Sequence, residues 1–467
     1  MPRPFVGRAL AVVLVAIAAP AAAVGDLAPS PFIVPGAPPL APEQLQGGGG
    51  LKDQDQLLGD MGGLRSGLAK YGLSLHLGET SEVLDNLSGG IGRGPLYEGL
   101  TDVHLGLDLK TYFDWPGNFF IRAYQIHGRG LTANEIGNLN TISGIEATRT
   151  TRLFEAWYEQ PVGDWLHIRI GQQNAGGEFI VSTTAQIFIN AAFGWPTLPA
   201  DDLPAGGPTY PLGTPGVRAQ VDVNDEVTLF AGLFNGNPTG APPGAANPQA
   251  YDLSGTAFRI NDGVLAIAEI RYNPGNSPAT GTYRFGAWFD SERFPDLNLA
   301  SNGASLASAA STGIPRRYNG NASVYGIIDQ PLFHKEDSDH GLNVFARVMG
   351  SPGDRNLIDL YIDGGLSYKG LIVDSDTLGF GVAYAHVGSG ARAFDAQQAL
   401  ASGGVYPTRS AETALELTYQ FNVARWWTLQ PDLQYIVNPG AGGANPAAPP
   451  SRIKNAVIAG LRTIVTF

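Results

Sequence analysis

The 467-residue sequence predicts an all-β fold, a transmembrane up-and-down antiparallel β-barrel of about sixteen strands. Three observations carry the prediction. Apolar and polar residues alternate with period two from residue 73 onward. The links between alternating segments are short and long in turn. Aromatic residues collect beside the short links. Formal charges make up only 15% of the chain, well under the roughly 25% of soluble proteins. Gly 62 and Pro 34 account for about a fifth of it.

The chain opens on an expected export signal at 1–23. Arg3 and Arg8 form its positive region, Ala9 to Ala19 its apolar stretch, and Ala21 to Ala23 a small-residue cleavage site. Loss of the two arginines takes the formal charge from −13 to −15, a balance that disfavours nucleic acid as a partner. Residues 24–50 read by composition as a Pro/Gly-rich leader or linker. In 51–72, Leu57, Leu58, Met61, Leu64 and Leu68 recur at helical spacing, so a short helical segment at the periplasmic side is expected. The barrel itself is assigned to 73–467.

Val103, Leu105, Leu107 and Leu109 alternate with His104, Gly106, Asp108 and Lys110; Tyr283, Phe285, Ala287 and Phe289 alternate with Arg284, Gly286, Trp288 and Asp290. Such runs are strands with one apolar and one polar face. They recur at 73–83, 102–113, 118–127, 151–160, 166–173, 216–223, 227–234, 263–273, 281–294, 322–330, 341–349, 357–369, 378–387, 412–421, 428–438 and 454–467. Most approach the 9–11 residues of a tilted transmembrane strand. Long links fall at 84–101, 128–150, 174–215, 235–262, 295–321, 388–411 and 439–453. Short periplasmic turns and longer outer loops are the layout of an outer-membrane barrel. Phe113, Trp115, Trp165, Tyr272, Phe333, Trp426, Trp427 and Phe467 would form one interfacial ring. The terminal Phe467, closing an alternating strand, resembles the signal that such barrels present to the outer-membrane assembly machinery.

Sixteen strands leave an aqueous channel. If the apolar faces meet outer-membrane lipid, strand parity puts Arg122, Glu155, Trp157, Arg169, Arg218, Arg284, Trp288, Arg347 and Arg462 on the lumen side. Both charge signs are present, and arginine offers a planar fork of donors to vicinal hydroxyls. That lining suits sugars better than a wall of one charge sign. The link 174–215 is too apolar to stand in solvent and long enough to fold inward. Its Glu178, Phe179 and Trp195 are the candidates for narrowing the pore. Cysteine is absent, and the seven histidines show no metal-ligand spacing along the chain. No cofactor and no metal are expected.

Several segments together resemble the OprB-type carbohydrate-selective porins of Gram-negative outer membranes. They include TDVHLGLDL (101–109), EAWYEQ (155–160), RIGQQNAGGEF (169–179), FINAAFGWP (188–196), YPLGTPGVRAQ (210–220), YRFGAWFDSERF (283–294) and NVFARVMGSPGDRN (343–356). The resemblance is collinear from about residue 60 to 467. It implies a sixteen-stranded porin that lets glucose and similar monosaccharides diffuse passively past an arginine-rich constriction, and it is compatible with a homotrimer. Within matching runs it carries that role to Glu155, Trp157, Arg169, Arg218, Arg284, Trp288 and Arg347; Arg122 and Arg462 rest on parity alone. A general diffusion porin is the alternative. A barrel hydrolase would need an activated nucleophile at the rim, and His104 with Asp108 has no matching serine.

Overall fold

The computed structural model describes residues 54–335 and 340–467. The expected export signal and leader lie outside the described residues. Alternating sequence becomes a closed barrel. In chain order the strands are β1 (Leu73–Gly90), β2 (Gly94–Asp108), β3 (Asn118–Gly128), β4 (Thr150–Val162), β5 (Leu166–Gln173), β6 (Thr214–Asn224), β7 (Val227–Asn235) and β8 (Val264–Tyr272). Then follow β9 (Thr282–Ala300), β10 (Pro315–His334), β11 (Gly341–Gly350), β12 (Ile358–Lys369), β13 (Thr377–Val387), β14 (Ala411–Ala424), β15 (Trp427–Val437) and β16 (Lys454–Thr466). Each pairs with its neighbour in sequence, and β1 closes on β16 from Gly78↔Thr466 to Gly90↔Lys454. Closure leaves no unpaired sheet edge, the condition for crossing lipid with strands. Among the described residues no helix is long and apolar enough to cross a membrane.

Three expected boundaries move. The link placed at 84–101 is a turn of residues 91–93, because β1 and β2 stay paired through Val83↔Tyr97 and Asn86↔Gly94. The link placed at 295–321 shrinks to 301–314 as β9 and β10 lengthen. Residues 109–113, expected as strand, form a short helix whose start is capped by Asp108, which accepts from the Lys110 N–H at 2.9 Å.

Burial is inverted relative to a soluble sheet. Val103, Phe119, Ile170, Leu233, Phe285, Val348 and Leu461 are exposed on the outer face, while the intervening arginines and carboxylates are covered on the inner one. At the short-turn end Trp115, Trp165, Tyr272 and Phe333 are exposed, and Trp426 and Trp427 stack with centroids 6.0 Å apart. A helix, α1 (Leu64–Ala69), lies at this same end. Its buried Arg65 donates to the carbonyl oxygens of Leu75 (3.4 Å) and Phe467, while the Phe467 N–H reaches Leu77 O at 2.9 Å.

Two outer loops, 129–149 and 174–213, turn into the barrel rather than away from it. Their buried side chains (Leu131, Ile136, Ile142, Phe179, Ile180, Phe188, Phe193, Leu198) form one apolar cluster with inward residues of β7 to β16. Phe188 and Phe193 pack 4.3 Å apart and meet Phe345 of β11. Opposite them β13 is pared down: a Cβ at Gly381 would lie 2.7 Å from the Phe193 ring. The loops therefore fill one side of the lumen as a core fills a soluble domain.

Candidate functional site

What holds loop 174–213 in place is an array of inward polar groups. Arg347 of β11 donates to the carbonyls of Ile180 (3.1 Å), Ala192 (2.9 Å), Phe193 (2.8 Å) and Gly194 (2.9 Å) and pairs with Asp363 of β12. Carboxylates take the loop's N–H groups. Glu269 accepts from Ile180 (3.0 Å), Asp329 from Thr184 (3.0 Å), and Glu416 from Ile189 (2.6 Å) and Asn190 (2.9 Å). Glu412 holds loop 129–149 in the same way through Leu139 and Asn140. Non-repetitive backbone inside a barrel needs such partners, because each buried N–H or C=O left unpaired is costly.

These contacts correct three expectations. Arg347 and Trp288 are expected on the solute path and Phe179 as a loop residue narrowing it, but all three are sealed into the packing between loop and barrel wall. Arg347 spends its donors on the loop backbone. Phe179 is wedged between Phe230 and Phe234, and Trp288 joins the same apolar cluster. Trp195 is half-buried and donates its Nε1–H to Gly206 O within its own loop at 3.0 Å.

A charge cluster forms where the loop leaves β5. Arg169 of β5 and Arg218 of β6 are direct cross-strand partners, two cations side by side. Two carboxylates separate them. Glu159 of β4 lies 2.8 Å from Arg169 and 2.7 Å from Arg218; Glu178 of the loop lies 2.9 Å and 2.7 Å from the same pair. Arg271 of β8 extends the cluster, pairing with Glu269 at 2.6 Å and donating to the Glu178 carbonyl. Burial pushes the Glu178 carboxyl upward, but the guanidiniums of Arg169 and Arg218 outweigh it and hold the group below its ordinary range. The Arg169 guanidinium also lies 3.9 Å over the ring of Trp157, whose other face stacks on Phe120 at 4.9 Å. Trp157 thus stiffens the wall; its faces are already taken.

Elsewhere on the inner wall, a water-sized pocket of about 30 Å³ is walled by β1, β2, β3, β16 and the 129–149 loop. Thr80, Asp102, Arg122 and Arg462 supply its polar side; Leu100, Tyr124, Ile145 and Ile464 supply its apolar side. Arg122 is held by Asp102 (3.0 Å to Oδ1, 2.5 Å to Oδ2) and lies 3.9 Å from Glu155. A bulge in β4 places Phe154 and Glu155 both inward, since Arg122 pairs with Glu155 and Ala123 with Leu153. Arg462 pairs with Glu82 of β1, its Nε donating at 2.5 Å. Arg284 stands apart, bound to Asp329 at 2.5 Å near the loop's Thr183.

The expected residues thus separate into groups: Arg169, Arg218 and Glu178 share one cluster, Arg122 and Arg462 border the pocket with Glu155 beside Arg122, and Arg347, Trp288 and Phe179 anchor the loop. Asp102 and Glu82 were missed as site residues. Their parity was readable, but their partners Arg122 and Arg462 are set by strand register, which alternation does not encode.

Comparison with known proteins agrees with this geometry. The sequence model of the carbohydrate-selective porin, OprB family matches residues 92–467. Porin B of Pseudomonas aeruginosa is 24% identical over 445 residues, which cover 88% of this chain and 91% of that protein. The high-pH structure of Pseudomonas putida OprB superposes with a TM-score of 0.78 at 25% identity, covering 90% of this chain and all of that one. The low-pH structure of the same protein shares the fold at a TM-score of 0.54 and 19% identity. The chain belongs to the OprB family of carbohydrate-selective porins, and it is a sugar-selective channel of the Gram-negative outer membrane, not an enzyme.

Proposed function

We propose that the permeating sugars are monosaccharides of the glucose type, which diffuse singly past the polar wall at Arg122 and past the Glu159–Arg169–Arg218–Glu178 cluster. The observation that carries this reading is the double infolding of loops 129–149 and 174–213, which fills one side of the lumen and narrows what is left. The wall around this pocket offers both surfaces that a passing pyranose can use. Arg122 and Arg462 can donate to hydroxyls, while Leu100, Tyr124 and Ile464 can meet the C–H face. Both arginines are already held by carboxylates, so a sugar gains donors that need no reorganisation and meets no unpaired charge. Binding of this kind is weak enough to release the solute, as conduction requires.

Flux into proteoliposomes tests the reading. Glucose is expected to enter faster than a disaccharide and faster than a zwitterion of similar mass. Equal rates for glucose and the zwitterion would leave a general diffusion pore; equal rates for glucose and the disaccharide would remove the size limit.

A further inference from the structure

Near the periplasmic start of the barrel, two histidines that the sugar path does not use converge with Asp102, the partner of Arg122, on one patch of inner wall. His76 of β1 and His104 of β2 are direct cross-strand partners. Their imidazoles lie face to face, with centroids 4.4 Å apart and planes 10° from parallel. Asp102, two residues before His104 on the same face, places Oδ1 3.6 Å from His104 Nδ1. One ligand atom from each of the three residues falls within 4.8 Å of the others.

We infer that His76, His104 and Asp102 form a binding site for a divalent transition-metal ion in the channel wall. Two imidazoles and one carboxylate are a donor set for zinc-like ions with positions left open to water. The set is too poor in oxygen for calcium, which takes six to eight oxygen ligands. Local features support the site independently of its composition. His104 Nδ1 is buried without a hydrogen-bond partner among the described residues. Gly78 makes room for its neighbour: a Cβ there would stand 3.0 Å from His76 Nε2. Arg122 orients the carboxylate through Asp102 Oδ2 and Nε–Oδ1 contacts and leaves Oδ1 a second lone pair. Hydrogen-bonded carboxylates of this kind are the usual outer support of metal ligands.

Charge does not forbid the ion. Arg122 is flanked by Asp102 and also by Glu155 at 3.9 Å, so its own charge is balanced by carboxylates; with Arg65 beneath β1 the patch is close to neutral when the histidines are. A tetrahedral shell has ligand separations of roughly 3.3 Å, so an ion would draw the three ligand atoms together from their present spread of up to 4.8 Å. His104 and Asp102 keep 12% and 13% of their side-chain surface open, so an ion can enter from the lumen.

The test uses the full-length, untagged porin in detergent at neutral pH, titrated with zinc chloride by calorimetry and with cobalt(II) by visible absorption. One ion per barrel is expected, with ligand-field bands for cobalt. The double variant His76→Gln, His104→Gln should weaken binding at least tenfold while its glucose flux shows an intact channel. Stoichiometric binding that is unchanged in the variant overturns the assignment, as does the absence of a saturable site in the parent protein. Calcium displacing cobalt at equal concentration would overturn it as well.

Discussion

Arg218 on β6 and Arg347 on β11 sit on the same inner wall, five strands apart, and each is 1% exposed. Parity treats them alike, but their acceptors differ. Arg347 is committed to four loop carbonyls and to Asp363, which is itself sealed beneath the loop. Arg218 is committed to Glu159 and Glu178, whose side chains keep 15% and 10% of their surface open. An inward arginine that binds backbone is part of the plug. One that binds partly open carboxylates borders the proposed path. The face of a strand says which side an arginine takes; only its partners say what it does there.

The largest effect should come from removing the plug's anchor. Arg347→Ala would delete the loop's main donor and strand the Asp363 carboxylate without a counter-ion. Breaking a buried pair from one side typically costs about 3–5 kcal/mol. Loop 174–213 is then expected to detach, raising single-channel conductance several-fold and erasing discrimination between glucose and larger sugars. Unchanged conductance would move the loop's anchorage to Glu416, Asp329 and Glu269.

The charged cluster should respond more gently and in a different observable. Arg218→Ala and Glu178→Gln each leave Arg169 paired with Glu159, so the barrel should stay closed. Sugar block and ion selectivity should shift instead. A double-mutant cycle between the two positions should show coupling of about 0.5–3 kcal/mol, the range for residues in direct contact. pH provides the same comparison without mutation. The Glu178 carboxyl is held below its ordinary value of about 4.3 in the folded protein. Its contribution is therefore complete above that value and is lost as pH falls through the lower, folded one. Open-channel noise should be flat from neutral pH to about 5 and rise in stronger acid; a change near neutrality would assign the titration to another group.

The barrel was legible because period two is the one pattern a transmembrane strand must keep. All sixteen segments overlap observed strands. The tip of the β1–β2 hairpin escaped because Asp85, Asn86, Ser88, Gly89 and Gly90 break the alternation while the backbone still pairs, with register shifts after Asn86. The helix at 109–113 escaped because Leu109 and Phe113 extend an apolar pattern that the Asp108 cap interrupts. At the site, parity found the arginines and the composition of 174–215 found the infolded loop. Parity could not rank Arg347 against Arg218, since that depends on which loop atoms arrive. Nor could it see His76 beside His104, which are 28 residues apart in sequence and adjacent only through the hairpin register.

The smallest effect sharpens the comparison from the other face of the same strand. Val348 follows Arg347 directly, and parity turns it outward, 49% exposed toward lipid. It touches none of the groups that hold the loop. Val348→Ala removes two methyl groups from a surface that stays in hydrocarbon, so the hydrophobic driving force that punishes such a change in water is largely absent. Stability should shift by no more than about 0.5 kcal/mol, the usual range for surface substitutions, and conductance and glucose flux should match the parent channel. A conductance change comparable to that of Arg347→Ala would mean that the whole β11 segment, and not its inward guanidinium, fixes the loop. Parent-like behaviour would place the effect on one side chain and one face of the sheet.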